Sequence, residues 1–205
     1  MAEPRELCLV GSGSFAVEVA EWAEDAGWRV AGLIELLDSS RVGSAVAGRP
    51  VLALGRPGGS GPAVVAAGGS RRAHWRTVAE RGWRAGTVVH PRAHVSPSAV
   101  LSEGCVVGPG AVVGAATTVG EHTLISRGVL VGHHVSVGSF VSLLPGVNLA
   151  SHVHLGEETT VGMGAVIVDH TSVGPSATIA AGAVVLGDVD GGVRVQGVPA
   201  RAYAP

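Results

Sequence analysis

The chain has no lysine; its 14 basic residues are all arginine. That excludes lysine chemistry of any kind, Schiff bases included. Aromatic residues make up 3% of the sequence, so a core built on Phe and Tyr is excluded as well. The core must instead come from Val, Ala and Ile packed close to the 32 glycines, which suits repeated tight coils of strand better than a helix bundle. Two cysteines, Cys8 and Cys105, are too few for a disulfide framework. Both stand in apolar stretches and read as small buried residues. A net charge of −2 leaves no basic footprint for nucleic acid. Mean hydropathy is positive, at +0.40, yet glycines and polar residues break every apolar run before membrane-spanning length. The opening residues Met1 to Glu6 lack the basic and apolar regions of a signal peptide, so a cytoplasmic protein is expected.

What is present falls into two halves with different periods. Up to about residue 86, short apolar runs alternate with helical spacing. Leu7–Val10 reads as a strand, Gly11–Ser14 as a turn, and Phe15–Ala26 as a helix. Val30–Ile34 and Val64–Ala67 read as further strands and Arg71–Arg81 as a second helix, with irregular loops between Arg41 and Pro62. The order is that of βαβ units, which implies a parallel sheet. Residues 1–86 are therefore expected to form a small Rossmann-like α/β domain. Gly11-x-Gly13-x-x-Ala16, with Glu35 closing the next strand, fits the dinucleotide fingerprint. About 85 residues hold only half the sheet of a dinucleotide fold, so an NAD oxidoreductase is not expected, and a βαβ cap that only packs is the alternative.

From Val89 to Val185 an aliphatic residue recurs every six positions without a slip. The residue four places after each is always Ala, Thr, Val or Cys. Internal repetition of this strictness dictates the fold. Residues 87–205 should form a left-handed parallel β-helix, with three hexads to each triangular coil and between five and six coils in all. The repeat by itself speaks for fold and not for function. Function must come from the residues that depart from it.

Residues 18 apart lie one above another in such a coil. His134, His152 and His170 then form a column at one corner, beside a second column of His133, Ser151 and Asp169. A zinc site of the kind that β-helical carbonic anhydrases build needs two histidines five residues apart, and there are none. A linear stack of 134, 152 and 170 does not make a compact tetrahedron, so no metal is expected.

Several segments, in order, resemble the hexapeptide-repeat sugar O-/N-acyltransferases that acetylate sialic acid and bacillosamine precursors. They are Gly11-Ser12-Gly13-Ser14-Phe15-Ala16, His90-Pro91, Val131-Gly132-His133-His134-Val135-Ser136-Val137-Gly138 and Gly197-Val198-Pro199-Ala200-Arg201. The resemblance implies a homotrimer with active sites between adjacent β-helices, acetyl-CoA as co-substrate and a sugar as acceptor. It makes His133 the general base and sets His134 where the family usually has an acidic neighbour. It places the oxyanion near the Ser151 N–H and Ser142 where relatives often carry a histidine near the acetyl group. It lays CoA against Met163, Gly164, Ala181 and Gly182, with Arg201 near its phosphates. A nucleotide carried by the acceptor would meet Gly11, Ser12, Gly13, Ser14 and Glu35. There the chain departs from the family, with Phe15 for a histidine and Leu36-Leu37 inside a normally acidic run. Two alternatives stay open. One is a CoA-dependent transfer to a non-nucleotide acceptor, such as an amino acid or a secondary-metabolite intermediate. The other is a non-catalytic or carbonic-anhydrase-like β-helix.

Overall fold

The structure, a computed structural model, describes residues 5–55, 61–68 and 70–203, and the chain divides into two compact units, residues 1–90 and 91–205. Among the described residues no helix is long and apolar enough to cross a membrane.

The first unit runs β1 (Arg5–Val10), α1 (Ser14–Asp25), β2 (Trp28–Glu35), a 3-10 turn (Ser39–Arg41), β3 (Ala45–Val46), β4 (Arg49–Ala53), β5 (Ala63–Val65) and α2 (Arg71–Ala79). The sheet order is β3-β4-β2-β1-β5. β1 pairs in parallel with β2 and β5, and β2 with β4, while β3 and β4 are antiparallel. Leu7, Leu9, Leu33 and Val64 are fully buried, as strands of a parallel sheet are. The stretch expected to be irregular between Arg41 and Pro62 in fact holds a hairpin and a strand of the sheet. Val51 is the buried residue that ties β4 to β2, and its neighbours Gly48, Arg49 and Pro50 masked the alternation in the sequence. Residues 56–60 of that stretch lie outside the described residues.

The second unit is a left-handed parallel β-helix. Its first face stacks the two-residue strands 94–95, 112–113, 130–131, 148–149, 166–167 and 184–185. The second face stacks 100–101, 118–119, 136–137, 154–155 and 172–173. The third continues from 106–107 through 124–125, 142–143, 160–161 and 178–179 to Arg194–Gln196, which pairs antiparallel with Arg201–Ala202. Register between coils is 18 residues, as in Leu130↔Asn148 and Val131↔Leu149, until the last rung, where Thr178 pairs with Arg194 and Ile179 with Val195. From Val107 to Val185 every hexad aliphatic is buried, and so is the small residue four places on, from Ala111 to Ala183. Two inward side chains per hexad fill the prism, which is why the repeat tolerates no slip.

From Gly104 to Gly182 each corner is a turn whose third residue has positive φ. One column of corners uses glycine there (Gly110, Gly128, Gly146, Gly164 and Gly182). The corner that follows the first face uses Ala116, His134, His152 and His170, with φ of 55°, 55°, 59° and 57°.

Candidate active site

The histidine corner follows directly from the coil. His134 donates its backbone N–H to Ala115 O at 2.8 Å, His152 to His133 O at 3.1 Å and His170 to Ser151 O at 3.1 Å. Three residues with the same backbone conformation on successive rungs must stack at the strand spacing of about 4.8 Å. The rings of His134 and His152 are 5.0 Å apart and 17° from parallel; those of His152 and His170 are 4.7 Å apart and 4° from parallel. His133 stands one turn position earlier, so its ring crosses the stack. It lies at 88° to His134 and 90° to His152, with centroids 5.1 and 5.3 Å away. His133 Nδ1 faces His134 Nδ1 at 2.9 Å. All four of these histidines are exposed.

His134 is therefore within hydrogen-bond reach of His133. Asp169, the carboxylate of the His133 column, lies two coils along and is set against His170 Nε2 at 4.0 Å. The His152 imidazole is held below the usual histidine range. Desolvation against its neighbours is the first cause, followed by the charges of His170, His134 and His133, with Asp169 opposing weakly.

Below the corner, a residue that sequence reasoning passed over holds the turn. Thr117 fills an inward position and is completely buried. Its Oγ1 donates to Gly132 O at 2.8 Å and accepts from Val135 N at 3.2 Å, gripping both ends of the turn that carries His133 and His134. The signal was there, since a hydroxyl in an apolar column must find partners. At Gly132 a side chain has no room: a Cβ there would come within 2.8 Å of Ser151 N. Ser151 is thus packed directly against the turn, beside His152.

The remaining site residues expected from the resemblance lie on another corner of the same chain. Met163, Gly164, Ala181 and Gly182 form the corner that precedes the first face, and all four are exposed. Ser142 is half-buried on the third face, which leads into that corner. The two groups flank the first face from opposite edges, and one chain does not bring them together. Arg201 stands at the C-terminal end of the prism, exposed, beside a cavity of about 370 Å³ that Asp188 and Asp190 also line. Its guanidinium donates to Ala200 O at 2.9 Å.

In the first unit, Gly11, Ser12, Gly13, Ser14 and Glu35 line one cavity of about 360 Å³. Gly11 ends β1 at a φ of 116°, and a Cβ there would approach Ala66 O to 3.1 Å, so the turn requires glycine. The N-terminus of α1 has Gly13 as its cap with no side chain bonded to it, and Gly13, Ser14 and Phe15 line the cavity. Glu35, which the fingerprint offers to a ligand, is bonded within the fold. It accepts from Ser12 Oγ, from Leu37 N at 2.7 Å and from Asp38 N at 3.1 Å. Burial pushes its carboxyl up, but these bonds and the Arg41 charge outweigh it and hold the group below the usual carboxylate range. Glu35 ties the glycine turn to the end of β2. Arg41, Asp38 and His74, which no motif announced, line the same cavity, and Arg41 Nη2 donates to Ser12 O at 2.7 Å. Phe15, Leu36 and Leu37 complete a lining more apolar than the family pattern.

No family model matches the chain, and no curated protein sequence matches it. Solved structures do. The acetyltransferase domain of PglB from Neisseria gonorrhoeae, in complex with acetyl coenzyme A, is 31% identical over 98% of this chain and 100% of its own, with a TM-score of 0.88. A histidine variant of perosamine N-acetyltransferase from Caulobacter crescentus, in complex with CoA and GDP-perosamine, is 29% identical over 98% of this chain and 97% of its own, with a TM-score of 0.90. WeeI from Acinetobacter baumannii, 22% identical over 97% and 99% with a TM-score of 0.87, shares the fold. The α/β unit followed by a left-handed β-helix thus defines a hexapeptide-repeat acyltransferase. More narrowly, the chain belongs to the sugar O-/N-acyltransferases of this fold, as its motifs indicated.

Proposed function

We propose that the protein transfers the acetyl group of acetyl-CoA to an amino or hydroxyl group of a nucleotide-linked sugar, with His133 as general base. The observation that carries the reading is the crossed pair His133–His134, Nδ1 to Nδ1 at 2.9 Å, on an exposed corner. With the shared proton on His133 Nδ1, the Nε2 lone pair is free to act. The acceptor nitrogen or oxygen attacks the thioester carbonyl carbon and yields its proton to His133 Nε2. The Ser151 N–H, one coil on, steadies the oxyanion. Collapse expels the CoA thiolate, which takes the proton back from His133, and no covalent enzyme intermediate is needed.

CoA would run along the corner of Met163, Gly164, Ala181 and Gly182, near Ser142, with Arg201 toward its phosphates. Because one chain keeps that corner apart from His133, the reading requires the corner of a second copy. The first face between them turns Val112, Leu130 and Val166 outward, 37%, 44% and 36% exposed. Packing three copies about that apolar face into a homotrimer would bring each histidine corner to its neighbour's CoA corner. The acceptor's nucleotide part would use the cavity of the first unit, its phosphates near the α1 N-terminus. The apolar lining and the engaged Glu35 favour a second reading there, a non-nucleotide acceptor on the same transferase.

Measuring CoA release with paired free and nucleotide-linked amino sugars tests both readings. Faster turnover with the linked form supports the first, and equal turnover selects the second. His133→Ala should lower turnover by about 10²–10⁴-fold with CoA binding intact, and His134→Ala by roughly tenfold through lost positioning. Near-normal turnover in His133→Ala would sink the base assignment.

A further inference from the structure

We infer that the histidine corner is also a transition-metal site, which takes a divalent ion of the zinc–nickel–copper class on His133, His134 and His152 and stops acetyl transfer when filled. The sequence allowed for metal only the stack of His134, His152 and His170, whose parallel rings cannot converge. The fold brings a different trio together. One ring nitrogen from each of His133, His134 and His152 lies within 4.8 Å of one from each of the others. His133 is the residue that makes the difference, because its ring crosses the stack at 88° and 90°. Two zinc–nitrogen bonds of about 2.0–2.1 Å at the tetrahedral angle hold their nitrogens about 3.3 Å apart. The Nδ1 atoms of His133 and His134 are at 2.9 Å, so this pair needs to open by only a few tenths of an ångström. His134 and His152 are 17° from parallel, so the His152 ring must turn onto the ion, and at an exposed position it is free to do so.

Donor chemistry agrees with the geometry. Three neutral imidazoles suit borderline ions, whereas calcium and magnesium want oxygen. The remaining coordination positions fall to solvent.

The inhibitory part rests on the reading of His133 as base. An ion on His133 Nδ1 leaves the ring's single proton on Nε2, and an ion on Nε2 takes the lone pair itself. Either way the base is gone, with no change in fold or in CoA binding.

The experiment uses the full-length protein, stripped with EDTA and titrated with zinc chloride by calorimetry while acetyl transfer is assayed in parallel. One zinc per chain is expected, with transfer lost as zinc binds and restored by EDTA. His152→Ala should weaken zinc binding at least about tenfold, keep metal-free turnover within about twofold, and leave that turnover resistant to zinc. His170→Ala should bind zinc like the unaltered protein. Zinc binding that survives His152→Ala, or follows His170→Ala, or is absent, overturns the site. The two readings separate cleanly. Zinc binding with normal turnover in His133→Ala upholds the site and refutes the base, and lost turnover without zinc binding does the reverse.

Discussion

A histidine in the left-handed backbone region is uncommon, and this chain stacks three of them on successive coils. The glycine column at another corner meets the same backbone conformation without a side chain. A non-glycine residue held there costs on the order of 1–3 kcal/mol and clusters at functional sites, although histidine tolerates the region better than most. Each ring follows its backbone, so its neighbour's charge is unavoidable. The His152 ring, desolvated between its neighbours and set against His170 and His134, should titrate below free imidazole in an NMR pH series. His170→Ala removes one of the opposing charges and should move that midpoint back up. A midpoint at or above that of free imidazole, or no movement in the variant, would show that the rings do not stack in solution.

At the scale of the element, the turn 132–135 is positioned by the coil beneath it. Thr117 Oγ1 satisfies Gly132 O and Val135 N at once, with no solvent to replace it. Thr117→Val keeps the volume and removes both bonds. Leaving two buried backbone groups unpaired should cost about 1–3 kcal/mol. The coil should stay folded while the corner loosens, lowering turnover about tenfold through misplacement of His133 and leaving CoA affinity unchanged. Thermal melts and steady-state kinetics read the two effects separately. Stability lost with turnover unchanged would mean that Thr117 supports the prism and not the corner.

The whole molecule raises a question that one chain does not answer, because the two candidate half-sites flank a single apolar face. Light scattering of the unaltered protein should give a trimer at micromolar concentration. Leu130→Asp, 44% exposed on that face, adds a charge there without touching either corner or the buried column. The variant should run as a monomer with its β-sheet circular dichroism intact and its turnover lost. A fully active monomer would refute the shared site and place the CoA groove within one chain.

Periodicity alone determines the prism. Two inward positions in every six leave no other way to bury Val107 through Val185, and the period alone fixes that residues 134, 152 and 170 align. The same register placed His133, Ser151 and Asp169 in one column. Tertiary structure alone decided ring orientation: His133 turns across the stack toward His134 because it occupies a different turn position, which a column count cannot express. It decided that the expected CoA residues sit on the far edge of the first face, because their corner precedes that face and the histidine corner follows it. In the α/β unit the glycine turn was legible and the hairpin after Arg41 was not, since only pairing with β2 makes Arg49–Ala53 a strand. Glu35 was legible as a residue but not as a partner. The carboxylate that spacing offered to a ligand accepts from Leu37 and Asp38 in its own turn and from Ser12, which only the folded sheet brings within hydrogen-bond reach.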